Sequence, residues 1–345
     1  MPIDYQTRDG ALLWIRNPIT GVISYVVDVR GKSFAFTLSG RDDPDPAAPL
    51  LDRAEIEREK ARCPFCPGNE SIAPPEILRV GTAEVADWAH WDSRAPERGQ
   101  WLIRAFNNLF PRIPEELTGN RNESYVVVED PRHFIEHPRS RHDLLFTGAL
   151  SEAHFLHILK TDARVTRHAL ANRGVRSVVI RKNQGRESGA SQPHVHQQIL
   201  GAPESFPALE AEQRATRDNP NLWRELIELV ERMDLLIESH DGVVSYASPI
   251  GAFPRSYDVL MPEFSGLLSD LPAEQMRLFA RALHRILRIL GPLPLDYEIH
   301  QADGLPLHVH VNARLYPYSN VAGTLNVPRT LLESAAALRK ALARE

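Results

Sequence analysis

The feature that most limits how this chain can fold is a pattern that occurs twice. A segment with apolar residues at helical spacing, SEAHFLHILKTDARVTRHALAN, leads into a β-branched run, VRSVVIRKNQG, then a glycine turn and SQPHVHQQILG, residues 191–201. Later, DLPAEQMRLFARALHRILRILG leads into LDYEIHQADG and then PLHVHVNARL, residues 306–315. The period of each first segment reads as a helix; VRSVVIRKNQG reads as a buried strand and LDYEIHQADG as strand-like. Their repetition in the same order reads as duplication of one α+β unit. Each unit has an apolar sheet face to cover, so the two are expected to join as one extended, mostly antiparallel sheet with helices packed on one face. The expected halves are residues 1–203 and 204–345. Residues 204–242 between the repeats read as a charged connector followed by an amphipathic helix. Asp270 is the expected N-cap of the second long helix, with Pro272 in its first turn and Gly291 beyond its end.

At 345 residues the chain is long enough for two such units. With 43% hydrophobic and 25% charged residues, its composition is that of a globular protein. The formal charge of −5 excludes a general nucleic-acid binder, which needs a basic surface to displace counterions from phosphates. No apolar run approaches the roughly 18–20 residues that span a bilayer, and MPIDYQTRDG lacks the basic and apolar regions of a signal peptide. The expectation is a cytoplasmic protein without a membrane partner.

In a strand, residues two apart share a face, so His194 and His196 project together, as do His308 and His310. The segment NQGRESGAS before the first pair is rich in small residues whose backbone N–H groups and hydroxyls can approach a phosphate closely. Gln198 shares the face of His196 and can donate an amide N–H to a phosphoryl oxygen. This pattern suits a histidine that attacks phosphorus while hydrogen bonds hold the transferred group. Imidazole is mostly neutral at cellular pH, so the attack needs no separate base.

The two cysteines, Cys63 and Cys66, stand together in CPFC. Their spacing in a reducing compartment points to metal binding or redox work rather than a structural disulfide. A redox pair would want a strand before it and a helix starting at it, whereas a charged helical segment precedes this one and the turn sequence PGNE follows. A tetrahedral zinc site needs two further ligands, for which His133, at the end of YVVVEDPRH, and His194 are the candidates.

Taken together and in order, CPFCPGNE, FNNLFPR, EDPRH, the loop from Asn183 to Ser191 with PHVHQQ, and LHVH resemble the galactose-1-phosphate uridylyltransferases of the histidine-triad superfamily. The likeness runs from about residue 14 to 325. It implies that Cys63, Cys66, His133 and His194 bind Zn2+, that His196 is the nucleotidylylated nucleophile and that Gln198 holds the α-phosphoryl group. It also implies nucleotide contacts from Asn108, Asn183, Gly189 and Ser191, and an arginine, Arg30, that reaches phosphates across a homodimer interface. RNPITG resembles the family's N-terminal signature. His308 and His310, completed by His300 and Glu212, match a second metal site, for Zn2+ or Fe2+. The implied activity is transfer of a nucleoside monophosphate, UMP in the family, between a nucleotide-sugar and a sugar 1-phosphate. Alternatives are a phosphorylase or hydrolase of nucleoside diphosphate sugars or dinucleoside polyphosphates, and a binding protein without turnover. Two departures bear on substrate: Ser33 stands where a second phosphate-binding arginine is typical, and VAGTLNVPRTLLES lacks the aromatic and glutamate pattern that holds hexose hydroxyls.

Overall fold

The computed structural model describes residues 2–27, 52–81, 101–119, 121–139, 143–314 and 320–344. The chain opens with strands β1 (Tyr5–Arg8), β2 (Ala11–Arg16) and β3 (Ile23–Val27), then helix α1 (Arg53–Arg62), β4 (Glu76–Gly81), β5 (Trp101–Asn107), the short α2 (Glu115–Thr118) and β6 (Glu123–Val128). The first repeat follows as α3 (Glu152–Ala171), β7 (Ser177–Gln184) and β8 (His196–Ala202). Between the repeats lie α4 (Pro207–Asp218), α5 (Leu222–Arg232), β9 (Leu236–His240), β10 (Val243–Ala247) and β11 (Ser256–Gly266). The second repeat is α6 (Ala273–Leu290) and β12 (Leu295–Ala313), and the chain continues through β13 (Asn320–Val321), β14 (Thr324–Pro328), α7 (Arg329–Leu332) and α8 (Ser334–Leu342).

The expected extended sheet is present. Its order is β4-β5-β6-β8-β7-β12-β11-β10-β9, with every pair antiparallel. The two repeats join where β7 pairs with β12, from Leu295 opposite Gln184 to Ile299 opposite Ile180. The Arg314 N–H donates to the Pro294 carbonyl at 2.7 Å, which brings the two ends of β12 together. β12 is therefore a hairpin folded at Asp303–Gly304, where Gly304 takes a φ of +72° that an Asp-Gly turn requires. Its first half pairs with β7 and its second with β11.

Side-chain alternation assigns the two faces of this sheet. Val178, Ile180, Ile199, Val259, Ile299 and Val309 point one way, into a core shared with Phe155 and Ile158 of α3 and with Phe279, Leu283 and Ile286 of α6. Helix α3 begins at Ser151, whose hydroxyl accepts the His154 N–H, so its apolar face starts in register with the sheet. Gly148 lets the turn before α3 lie directly on α6: a Cβ there would stand 2.3 Å from the Leu287 carbonyl oxygen. Asp270 does not cap α6. It ends a short 3-10 turn, and the N-cap position belongs to Pro272, which fits because proline has no N–H to leave unpaired.

The opposite face carries additional cover. Over the second half of the sheet, Leu209 of α4 and Trp223 and Leu226 of α5 pack against Val179, Val244 and Leu260, together with Leu12, Ile15 and Leu325 of a second, five-stranded sheet. That sheet has the order β1-β2-β3-β14-β13, with β3 and β14 parallel. The segment 321–334 thus forms β13, β14 and the start of the C-terminal helices. The charged connector expected before the amphipathic helix is itself helix α4, with Leu209 and Glu212 turned inward.

Candidate active site and metal centres

All the histidine and glutamine candidates on β8 and β12 lie on the sheet face away from α3 and α6, because His196, Gln198, His300, His308 and His310 alternate with core residues such as Ile199, Ile299 and Val309. Over the first half of this face the chain leaving α1 brings Cys63 and Cys66 onto the sheet, packed with Phe65, Trp101, Phe106, Val126 and Val128.

There Cys63, Cys66, His133 and His194 converge, all buried, with one ligand atom from each within 4.8 Å of the others. The Cys66 Sγ lies 3.3 Å from His133 Nδ1, and the Sγ atoms of Cys63 and Cys66 each lie 3.5 Å from His194 Nδ1. Zn–S bonds of about 2.3 Å and Zn–N bonds of about 2.0–2.1 Å at the tetrahedral angle give an S···N edge of about 3.6 Å, so the donor set fits a tetrahedral zinc ion. The other ring nitrogen of His194, Nε2, lies 2.7 Å from the Asp130 carbonyl and donates to it, which leaves the Nδ1 lone pair for a metal. The Phe65 N–H donates to Cys63 Sγ at 3.4 Å, supporting negative charge on the sulfur. The hydrogen bond between the two thiols holds Cys63 far below the ordinary thiol range and pushes Cys66 up.

His196 begins β8 immediately beyond this cluster. Its Nδ1 lies 2.7 Å from the His194 carbonyl and donates to it, so the lone pair sits on Nε2. Burial, reinforced by the Lys182 ammonium, pushes the imidazole down to about 4 and keeps it neutral. The Phe65 ring stands edge-on to it at 5.2 Å. An open cleft passes over His196, lined by Gln198, Ser191 and Asn108, with Phe65, Phe106, Phe110, Ile72 and Pro74 as apolar walls.

The second cluster lies on the same face of the sheet's other half. Glu212, reaching in from α4, meets His300, His308 and His310, with ligand atoms again within 4.8 Å of one another. His300 Nδ1 is 2.9 Å from both Glu212 oxygens, and His308 and His310 approach one of them through Nε2 at 3.5 and 3.4 Å. Burial alone would raise the Glu212 carboxyl, but His308 and His300 hold it well below the usual range. Each histidine has its other nitrogen engaged outside the cluster: His308 with the Pro306 carbonyl, His310 with Asp258 at 2.7 Å, His300 with Glu298 at 3.5 Å. The buried His308 Nε2 has no hydrogen-bond partner. One carboxylate and three imidazoles with outer nitrogens tied back make a donor set that suits Zn2+ or Fe2+.

The solved structure of an ADP-glucose phosphorylase from Arabidopsis thaliana with bound ADP-glucose superimposes with a TM-score of 0.67 at 18% identity, over 95% of this chain and 98% of that one. A uridylyltransferase structure matches with a TM-score of 0.61 at 20% identity, over 100% of this chain and 99% of its own. The fold is that of the uridylyltransferases. By sequence, the ADP-glucose phosphorylase of Arabidopsis thaliana is 24% identical over 257 residues, which are 69% of this chain and 66% of that protein, just under two thirds of its length. A family model described as a domain of unknown function, DUF4921, matches residues 117–259. The family resemblance read in the motifs and the fold class expected from the repeat thus agree with these structural neighbours. No helix among the described residues is long and apolar enough to cross a membrane.

Within this uridylyltransferase fold, the expected site residues fall into place unevenly. His196, Gln198, Ser191 and Asn108 share the cleft. Asn183 lies on the same sheet face: β7 pairs Lys182 with Gln197, so one residue further along the ladder Asn183 comes opposite His196. Its amide donates to the Ser188 carbonyl, and Gly189, at a φ of +89°, closes the loop beside it. Arg30 and Ser33 lie outside the described residues.

The structure also shows a buried polar network beneath β8. On the α3 face of the sheet, the Lys182 ammonium lies on Glu129, which also accepts from the Thr147 hydroxyl at 2.7 Å. Gln197 donates to Asp162 of α3 at 2.6 Å and accepts from the Tyr297 hydroxyl at 2.7 Å. Sequence alternation could have placed Lys182 and Gln197 opposite His196, but nothing in the sequence names their partners.

Proposed function

We propose that this protein is a nucleotidyltransferase that takes a nucleoside monophosphoryl group from a nucleoside diphosphate sugar onto His196 and passes it to a second phosphorylated acceptor. The observation that carries this reading is the state of His196: Nδ1 is occupied by the His194 carbonyl, and Nε2 is left for a cleft shared with Gln198, Ser191 and Asn108. Nε2 attacks the α-phosphorus, the bond from that phosphorus to the bridging oxygen breaks, and the sugar 1-phosphate leaves with the electron pair. In the second half-reaction an acceptor phosphate oxygen attacks the same phosphorus and the P–N bond breaks, returning the lone pair to Nε2. The Gln198 amide and the Ser191 hydroxyl hold the non-bridging α-phosphoryl oxygens. Asn108, Asn183 and Gly189 contact the nucleotide, and Arg30 does so across a homodimer interface. The bonds broken and made are similar, so catalysis rests mainly on positioning and electrostatic stabilisation.

Cys63, Cys66, His133 and His194 hold Zn2+ in this reading, whose role is to lock the cysteine loop to the start of β8 so that the His194 carbonyl is fixed for His196. Glu212, His300, His308 and His310 hold a second, structural Zn2+ or Fe2+. The family resemblance supports a uridylyl group, while the sequence relative, an ADP-glucose phosphorylase by name, supports an adenylyl group and inorganic phosphate beside sugar 1-phosphate as acceptor. The two buried free thiols fit a reducing cytoplasm.

The test is intact mass after brief incubation with uridine, adenosine and guanosine diphosphate sugars, kept alkaline because the P–N bond is acid-labile. One donor should add its nucleotidyl mass to the wild type and nothing to His196→Ala. An adduct that persists in His196→Ala, or none with any donor on a folded, metal-loaded protein, would refute the proposal.

A further inference from the structure

The sheet registers line up a row of polar side chains across its centre. Gln198 on β8 is the direct partner of Arg181 on β7, and Arg181 is the direct partner of Glu298 on β12. All three point to the cleft side. Directly opposed residues in such a ladder stand about 4.5–5.5 Å apart at Cβ and diagonal neighbours about 7–8 Å, so Arg181 lies one diagonal step from His196.

The Arg181 guanidinium is built into this position. Its side chain is only 20% exposed, Nε donates to Asn183 Oδ1 at 3.0 Å, and Nη1 lies 3.2 Å from Glu298, itself within 3.5 Å of His300 in the second cluster. Nη2 has no partner among the described residues. Three other described cations are engaged elsewhere: Lys182 on Glu129 beneath the sheet, Arg104 on Glu76, and Arg132 on Asp130 with two nitrogens. A planar guanidinium held on two sides, on the sheet face that carries Gln198 and with Nη2 left over, is shaped to receive phosphate oxygens.

We propose that Arg181 binds the phosphate that leaves from and returns to the α-phosphorus, a phosphate monoester or inorganic phosphate, and so selects the acceptor. This inference rests on the reading of His196 as the nucleotidylylated residue. In the first half-reaction Nη2 donates to the departing sugar 1-phosphate as the bridging oxygen takes up charge. In the second it orients the incoming dianion, whose oxygen attacks the α-phosphorus as the P–N bond to Nε2 breaks. Asn183 and Glu298 fix the angle of the guanidinium, and Glu298 lowers its pull on anions.

The experiment is a calorimetric titration of the metal-loaded full chain with inorganic phosphate and, separately, with glucose 1-phosphate, in the absence of donor. Arg181→Met should weaken binding by about 10- to 100-fold, the value of one charge-assisted hydrogen bond, and Arg181→Lys should keep part of it. Glu298→Gln frees the guanidinium and should bind as tightly as the wild type or more tightly, which a merely structural ion pair would not allow. Should Arg181→Met fold poorly, the neutral double variant Arg181→Met/Glu298→Gln takes its place. Binding of both anions marks phosphorolysis among the reactions; binding of glucose 1-phosphate alone marks exchange between sugar phosphates. Equal binding by wild type and Arg181→Met, a loss in Glu298→Gln matching that in Arg181→Met, or no binding of either anion to the wild type would overturn the proposal. Because no donor is present, this outcome is independent of whether His196 forms an adduct.

Discussion

Lys182→Met should destabilise the protein by about 3–5 kcal/mol, the cost of breaking a buried ion pair by removing one partner. Both charges are out of water: Lys182 is 1% exposed and Glu129 is fully buried. Burial lowers the Lys182 ammonium, and Glu129 opposes that loss. Methionine matches the lysine stem closely in volume, so the variant leaves little cavity, and its cost comes from a carboxylate that, among the described residues, keeps only the Thr147 hydroxyl as side-chain donor. With an unfolding entropy of about 2.1 cal/mol/K per residue, the full chain responds with a fall in Tm of about 4–7 °C. Differential scanning calorimetry at neutral pH would measure it. The double variant Lys182→Met/Glu129→Gln should recover most of the loss, because no buried charge is then left alone. An unchanged Tm in the single variant, or a double variant no better than the single one, would refute the argument that this pair is desolvated and mutually dependent.

Two further outcomes follow from the same geometry. Asp162 is fully buried, and burial followed by the Glu129 charge raises its carboxyl well above the ordinary value. The folded protein therefore keeps a proton that the unfolded chain releases near pH 4, and stability falls as pH rises from there toward the folded value. Asp162→Asn should remove that dependence and raise the Tm at pH 8 more than at pH 5; a gap that does not widen with pH would contradict the assignment. Cys63→Ser removes one thiolate of the proposed zinc site, whose binding contributes folding energy on the order of 10 kcal/mol. Metal content by atomic absorption should fall together with the Tm, and lost zinc at an unchanged Tm would end the structural role of the site.

Periodicity made the architecture legible. The helical apolar spacing of residues 152–171 and 273–290, the β-branched run at 177–184 and the alternating LDYEI at 295–299 appear as helices and strands because each pattern has one way to bury its face. The alternation that sets His196 and Gln198 together also sets His308 and His310 together, so both histidine pairs could be read from spacing of two. Cys63 and Cys66 were legible as a chelating pair from their spacing. Asp270 misled because its capping chemistry suits a helix start, while the actual boundary lies two residues later at Pro272. The helical character of α4 was hidden by its charge: ten of its residues face solvent or its margin, and only Leu209 and Glu212 are buried.

The sequence by itself determined the local elements, the side of each strand on which a side chain projects, and the residue types that can bind metal or attack phosphorus. It could do so because backbone period and donor chemistry are properties of short stretches. The meetings of His133 with Cys66 and of Glu212 with His300 were reached only through the family resemblance, while tertiary structure alone decided that Lys182 meets Glu129 and that Arg181 lies between Gln198 and Glu298. Those meetings depend on strand order and register. They are set by the burial of apolar faces summed over the whole sheet, and no short stretch of chain contains that sum.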